Sequence, residues 1–311
     1  MKSEKKLWAA LALVIGISFA VLIYYGYEIY QKAPPIPVQV VTTRGEVLFS
    51  GQDIKDGQNV WQSIGGQEVG TIWGHGAYLA PDWTADWLHR EAQFILNKYS
   101  VADFNKAFEN INSEQKAALE NRLQNELRKN TYNPKTKVLT VSILRKEAIA
   151  HLSNYYAGLF TNAPELDELR SNYAIPKNAV KDSLRMRRMT NFFFWASWAC
   201  VTERPGEKVS YTHNWPPDEQ VGNKPTGDLI LWTGFSVVML LVGIGILIFY
   251  HAKTIEQEDP AAPIEDPLMR QNITPSMKAV KKYFWVVNLL IIFQVVMGVV
   301  TAHYGVEGNG F

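Results

Sequence analysis

Cysteine is almost missing from this sequence: Cys200 is the single one in 311 residues. No disulfide can form within the chain, and no Cys-x-x-Cys-His run offers the paired thiols of covalent haem attachment. Excess charge is missing too. Lys and Arg total 31 against 30 Asp and Glu, which argues against nucleic acid, because phosphate binding needs a surplus of cations on one face. No nucleophile elbow appears. The Gly65-Gly66, Gly70, Gly74, Gly76 series does not lead from a strand into a phosphate-binding helix. No internal repeat or low-complexity tract occurs.

Aromatic residues are abundant, with 10 Trp, 14 Tyr and 14 Phe, a load that suits a domain lying against a bilayer. The mean hydropathy of −0.12 hides three apolar blocks. Leu7 to Tyr24 carries no charge and is long enough to cross a ~30 Å hydrocarbon layer. Lys2, Lys5 and Lys6 precede it and hold its N-terminus in the cytoplasm. Its length and the Tyr24, Tyr25, Tyr27, Tyr30 belt distinguish it from a cleaved signal peptide. Leu229 to Tyr250 and Phe284 to Ala302 are the second and third spans. Between them Lys253, Arg270, Lys278, Lys281 and Lys282 mark a cytoplasmic loop, and four prolines make it a linker. Residues from Tyr25 to Asp228 are therefore expected outside.

The expected architecture is mainly α: a membrane protein with three transmembrane helices and a mostly helical outer domain. Its parts are an N-terminal anchor (1–32), a periplasmic domain (33–228), a transmembrane helix (229–250), a cytoplasmic linker (251–282) and a further transmembrane helix (283–311). Ala33 to Pro37 reads as a Pro-rich hinge that frees the domain from its anchor. Val38 to Phe49 alternates around Arg44-Gly45, the pattern of a hairpin. Asn112 with Gln115 opens a helix as a capping box, and Leu119, Leu123 and Leu127 repeat one turn apart. Ser142 to Phe160 and Lys181 to Ala199 are further helices. The run "RMRRMTNFFFWASWAC" is too short to span; it is either a buried helix or one dipping toward lipid headgroups. Cys200 within it reads as a small buried hydrophobe.

Few residues point to chemistry. His75 and His89 stand among Trp73, Trp83 and Trp87. No Cys or acidic cluster stands at metal-ligand spacing beside them, so they read as structural hydrogen-bonding groups in an aromatic core rather than metal or haem ligands. Asn288 and Gln294 read as hydrogen-bonding groups between helices. The third span closes with "VVTAHYGVEGNGF". His303 and Glu307 are four apart and share a face on a continuing helix, with Phe311 four further on. Counted from Tyr283 at ~1.5 Å per residue, His303 lies about 30 Å along, at the outer edge of the hydrocarbon. Ionisable groups at that depth are rare and usually functional. A quinol site needs groups that bond its hydroxyls, take its protons and wall its ring. His303, Glu307 and Phe311 supply that set. On spacing alone the alternative stands equally: an interfacial His303 and a solvated Glu307 past the helix end, with Gly305, Gly308 and Gly310 weakening the helix.

Three segments carry a family resemblance: Gly57 to Glu91, Tyr211 to Gly227 ("YTHNWPPDEQVGNKPTG") and Val300 to Phe311. They resemble the quinol-dependent nitric oxide reductases, single-chain relatives of the haem-copper oxidases, and the likeness runs through the whole chain. The resemblance implies a cytochrome-c-like periplasmic domain without haem, and a quinol site on His303, Glu307 and Phe311. It implies that quinol is oxidised and NO reduced to N2O in the bacterial inner membrane. It also implies two b-type haems and one non-haem iron, whose histidine ligands would follow Phe311; none of the six histidines here fills those positions. The 311 residues are thus expected to be the front portion of a reductase, inactive alone, working with downstream catalytic helices or a separate catalytic chain. His213 departs from the family, where Asn is implied. A membrane-anchored sensor and a structural docking protein are the alternatives.

Overall fold

The computed structural model describes residues 2–74, 80–255 and 275–306. Two compact units make up the chain, Met1–Thr226 and Gly227–Phe311.

The first unit begins with α1 (Lys2–Lys32), one unbroken helix that carries the Tyr belt as helical residues. At ~1.5 Å per residue it is about 46 Å long, more than the hydrocarbon layer needs. Its apolar window is Ala12–Lys32, none of it buried against protein. The following prolines are not a free hinge. Pro37 is buried, and the Pro35 carbonyl accepts the Trp195 indole N–H at 3.0 Å. Proline lacks an N–H but keeps a carbonyl, and here that carbonyl is used to fasten the segment to the domain.

Beyond it comes the expected hairpin, β1 (Gln39–Thr42) and β2 (Val47–Ser50), turning through Gly45 at φ +81°. A second hairpin joins it that the sequence pattern does not announce. β3 (Tyr132–Asn133) and β4 (Val138–Val141) extend the sheet to the order β2-β1-β4-β3, with β1 and β4 parallel. The alternation in β4 is only four residues long, and its partner β1 is far away in sequence.

Helices build the rest of this unit: α2 (Gly51–Ser63), α3 (Trp83–Phe104), α4 (Ser113–Arg128), α5 (Ile143–Phe160), α6 (Asp167–Asn172) and α7 (Ser183–Val201). Each of the long ones starts on a side-chain cap that satisfies an otherwise unpaired amide. Ser50 and Asp53 cap α2 reciprocally, as Asn112 and Gln115 cap α4. Asp82 caps α3, Ser142 caps α5 and Asp182 caps α7. Leu119, Leu123 and Leu127 are the buried face of α4.

Helix α7 is the axis of the domain. Met189 to Val201 are all buried, so the Arg-rich aromatic run is a core helix and does not dip toward lipid. Its closest neighbour is α2. Gly57 makes the approach possible: a Cβ there would strike the Arg188 carbonyl oxygen and the Phe192 Cβ. Rings fill the centre. Trp83 is fully buried against Phe160 at 5.3 Å, Phe193 at 5.8 Å and Tyr156 at 6.0 Å, and Trp87 stacks on Tyr156 at 5.4 Å. Each such ring removes roughly 150–250 Å² from water, which at ~25 cal/mol per Å² sets an upper scale of about 4–6 kcal/mol apiece.

The second unit holds α8 (Gly227–Ile255) and α9 (Pro275–Val306). Their apolar windows are Leu231–Tyr250 and Lys278–Met297. With α1, three helices among the described residues are long and apolar enough to cross a membrane by length and composition.

Candidate functional site

The expected quinol residues are only partly placed. His303 belongs to α9, three residues before its last residue, Val306. Its side chain, Glu307 and Phe311 lie outside the described residues, as does His75. The described domain, in contrast, carries a polar spine inside its aromatic core, drawn mostly from the Trp-rich stretch.

Helix α3 supplies two faces at a spacing of four. Asp82, Asp86 and Arg90 form one. Asp82 receives the Thr71 hydroxyl at 2.6 Å, the Ala85 amide at 2.9 Å and the Gly74 amide. It thereby ties the preceding loop to the helix start, where a carboxylate also meets the favourable end of the helix dipole. Asp86 accepts from Arg90 Nε at 2.9 Å and from the Tyr156 hydroxyl at 2.6 Å. Burial pushes the Tyr156 phenol well above its ordinary range, and the Asp86 charge adds to that. The Arg90 guanidinium lies 3.9 Å over the Tyr155 ring.

Trp83, Trp87 and Glu91 form the second face. Glu91 is fully buried. It accepts Arg145 Nε at 2.7 Å and the Trp87 indole N–H at 3.2 Å. Arg145, from the first turn of α5, lies 5.2 Å over the Phe194 ring. The i, i+4 register of Asp82-Asp86-Arg90 beside Trp83-Trp87-Glu91 is visible in the sequence as spacing. What spacing lacks is Arg145, 54 positions from Glu91, and Tyr156, 70 positions from Asp86.

His89 corrects its expected setting. Its ring is 58 % exposed and its Nδ1 lies 3.3 Å from Asp218 Oδ2, so it stands at the surface and not in the aromatic core. It follows Leu88, the inward position of that turn, and α3 turns it outward. It pins the loop after α7 instead. That loop is held chiefly by Arg128, which donates to Glu203 Oε1, the Gly222 and Lys208 carbonyls, and the Asn214 and Asn223 side-chain oxygens, at 3.1–3.3 Å. His213 lies in it at φ +55°, with Nε2 3.2 Å from Arg204 Nη2. Asn tolerates that left-handed backbone better than most residues, which gives a backbone reason for an Asn at this position.

Metal and haem chemistry find little here. Among the described residues, no three His, Cys, Asp or Glu side chains group closely enough to hold a metal ion. Cys200 is fully buried and its thiol donates to the Ser197 carbonyl at 3.1 Å. Burial pushes that thiol well above its usual range, and the charges of Asp82, Asp218 and Glu91 add to the shift. One inert thiol cannot form the two thioether bonds of a c-type haem.

Residues 37–217 match the family model for the cytochrome c-like domain of NorB, a nitric oxide reductase protein. No curated protein matches the chain.

Proposed function

Since the chain belongs to the NorB family of nitric oxide reductases by its cytochrome c-like domain, we propose that it serves a reductase that oxidises quinol and reduces NO to N2O. One observation carries the quinol part. The domain has the cytochrome c-like sequence, yet its single thiol is a buried, hydrogen-bonded Cys200. A haem attached covalently to this domain is thus not the point of electron entry, which supports a donor dissolved in the bilayer.

His303, near the end of α9, is the proposed contact for that donor, together with Glu307 and Phe311, which follow it in the sequence. Oxidising a quinol releases two electrons and two protons. His303 would bond one hydroxyl and Glu307 would take a proton, while Phe311 walls the ring. Two b-type haems and one non-haem iron supply the redox chemistry, held by histidines on further helices, downstream or on a separate catalytic chain. Among the described residues no three His, Cys, Asp or Glu side chains group closely enough to hold the iron. The bilayer in question is the bacterial inner membrane, with the N-terminus cytoplasmic and the large domain periplasmic.

The test is NO consumption by the complete enzyme, driven in turn by a quinol analogue and by a soluble artificial reductant. His303→Ala and Glu307→Gln should lower the quinol-driven rate and spare the reductant-driven rate. Equal rates with quinol in wild type and both variants would move the donor site elsewhere.

A further inference from the structure

The family match leaves unexplained why the centre of this domain is built of oxidisable rings. Leu or Phe would fill the space as well and would not leave Trp87 needing the buried Glu91, and Tyr156 the half-buried Asp86, as hydrogen-bond partners. Trp87 stacks on Tyr156 with ring centroids 5.4 Å apart and planes within 4°. Trp83 lies 6.0 Å from Tyr156 on another side. Tyr156 in turn meets Tyr155 at 5.2 Å, edge to face. Tyr155 is partly exposed and lines a cleft of about 750 Å³ with Asp86, Arg90 and His151. A contiguous path of redox-capable rings thus runs from the sealed core to solvent.

The proton has a place to go at the buried step, the oxidation of Tyr156. A tyrosine loses an electron readily only when its phenolic proton can leave at the same time. The Tyr156 hydroxyl donates to Asp86 Oδ2 at 2.6 Å, and the same carboxylate takes Arg90 Nε at 2.9 Å. Two donors on one carboxyl group fit an anion ready to accept.

We propose that Trp83, Trp87, Tyr156 and Tyr155 form a relay that carries oxidising equivalents out of the domain core, with Asp86 as the proton acceptor for Tyr156. A one-electron oxidant of the nitrogen dioxide class takes one electron from an indole and leaves as nitrite. The indole radical cation takes an electron from Tyr156, whose proton passes to Asp86. Tyr156 then recovers its electron from Tyr155 and its proton from Asp86, while the Tyr155 proton leaves through the cleft. A soluble thiol finally gives Tyr155 a hydrogen atom and becomes a thiyl radical. Indole and phenol yield electrons only to strong oxidants, far above the range in which quinols work. The relay is therefore an escape route and is separate from the path of substrate electrons.

The experiment is flash photoionisation of tryptophan in the full chain, following the conversion of tryptophan radical into tyrosyl radical. Wild type should show a first-order conversion whose rate does not change with protein concentration. Tyr156→Phe, which keeps the ring and the packing, should lose most of that phase, the contacts of Trp83 with Tyr173 at 6.1 Å and of Trp198 with Tyr211 at 5.4 Å leaving only a minor part. Asp86→Asn should slow it and remove its solvent deuterium effect. Tyr155→Phe should keep the conversion but make the tyrosyl radical resist added thiol. Matched thermal melting of the variants separates these effects from unfolding. A conversion unchanged in Tyr156→Phe, or one that scales with protein concentration, overturns the relay.

Discussion

The Glu91 carboxylate accepts Arg145 Nε at 2.7 Å, and the two side chains are 0 % and 5 % exposed. One comes from the middle of α3 and the other from the first turn of α5, so the pair locks two helices together where no water can replace either partner. Trp87 holds the second carboxylate oxygen. Removing one charge strands the other in a low-dielectric core, at about 3–5 kcal/mol. Glu91→Leu should therefore melt far below wild type. Joining it to Arg145→Met removes both charges and should recover most of the loss, because a well-packed apolar pair often matches a buried ion pair. Thermal unfolding of the two variants checks this. A double variant as unstable as the single would mean that packing, and not the stranded charge, sets the cost.

Two opposed effects meet at Gly57. Alanine is the better helix former by about 1 kcal/mol. A Cβ at this position, however, collides with the Arg188 carbonyl oxygen and the Phe192 Cβ on α7. Backbone cannot step aside as a flexible side chain would, and forced overpacking typically costs about 1–3 kcal/mol. The collision should win, and Gly57→Ala should lower the melting temperature. An unchanged or higher value would show that α2 and α7 can separate at little cost.

Asp53 gives a pH signature outside the membrane. Burial raises its carboxyl, but the Ser50 hydroxyl and amide and the Arg188 guanidinium outweigh that and hold it below the ordinary value. A depressed native pKa means the unfolded chain takes up a proton first as pH falls. The contribution is whole above the unfolded value of about 3.9, and it is lost as pH drops through the native value. Asp53→Asn should therefore destabilise at neutral pH, and the gap to wild type should narrow as pH falls below the unfolded value. Melting curves across that range decide it. A gap that stays constant would mean the capping geometry matters and the charge does not.

The parts of this fold that are legible in sequence are those whose signals are local. Arg44-Gly45 marks the β1–β2 hairpin, and Asn112 and Gln115 mark α4 together with its leucine face. Helix α2 has a capping box of the same kind in Ser50 and Asp53, yet Gly51 and Gly57 dilute its helical pattern. Those glycines serve contacts with Pro37 and α7, which are tertiary and invisible in a window of sequence. The Pro-rich segment after α1 reads as a hinge from composition, whereas the bond from Trp195 spans 160 positions. The polar spine is hidden for the same reason. Asp86 and Glu91 stand in plain view at helical spacing, but their partners Tyr156 and Arg145 come from α5.

Cys200 offers the last test. It is fully buried on α7, its thiol bonds the Ser197 carbonyl, and burial raises its pKa well above normal. Reaction with alkylating or disulfide reagents requires the thiolate and access to it, and both are denied in the folded domain. In native conditions the chain should stay unmodified by a thiol reagent that labels free cysteine within minutes. Labelling should appear only as the domain unfolds, and its midpoint in urea should coincide with the loss of tryptophan fluorescence. If Cys200 reacts quickly without denaturant, the end of α7 opens locally, and the cluster of Leu88, Leu123 and Val221 to which Cys200 belongs is not the sealed body that its burial describes.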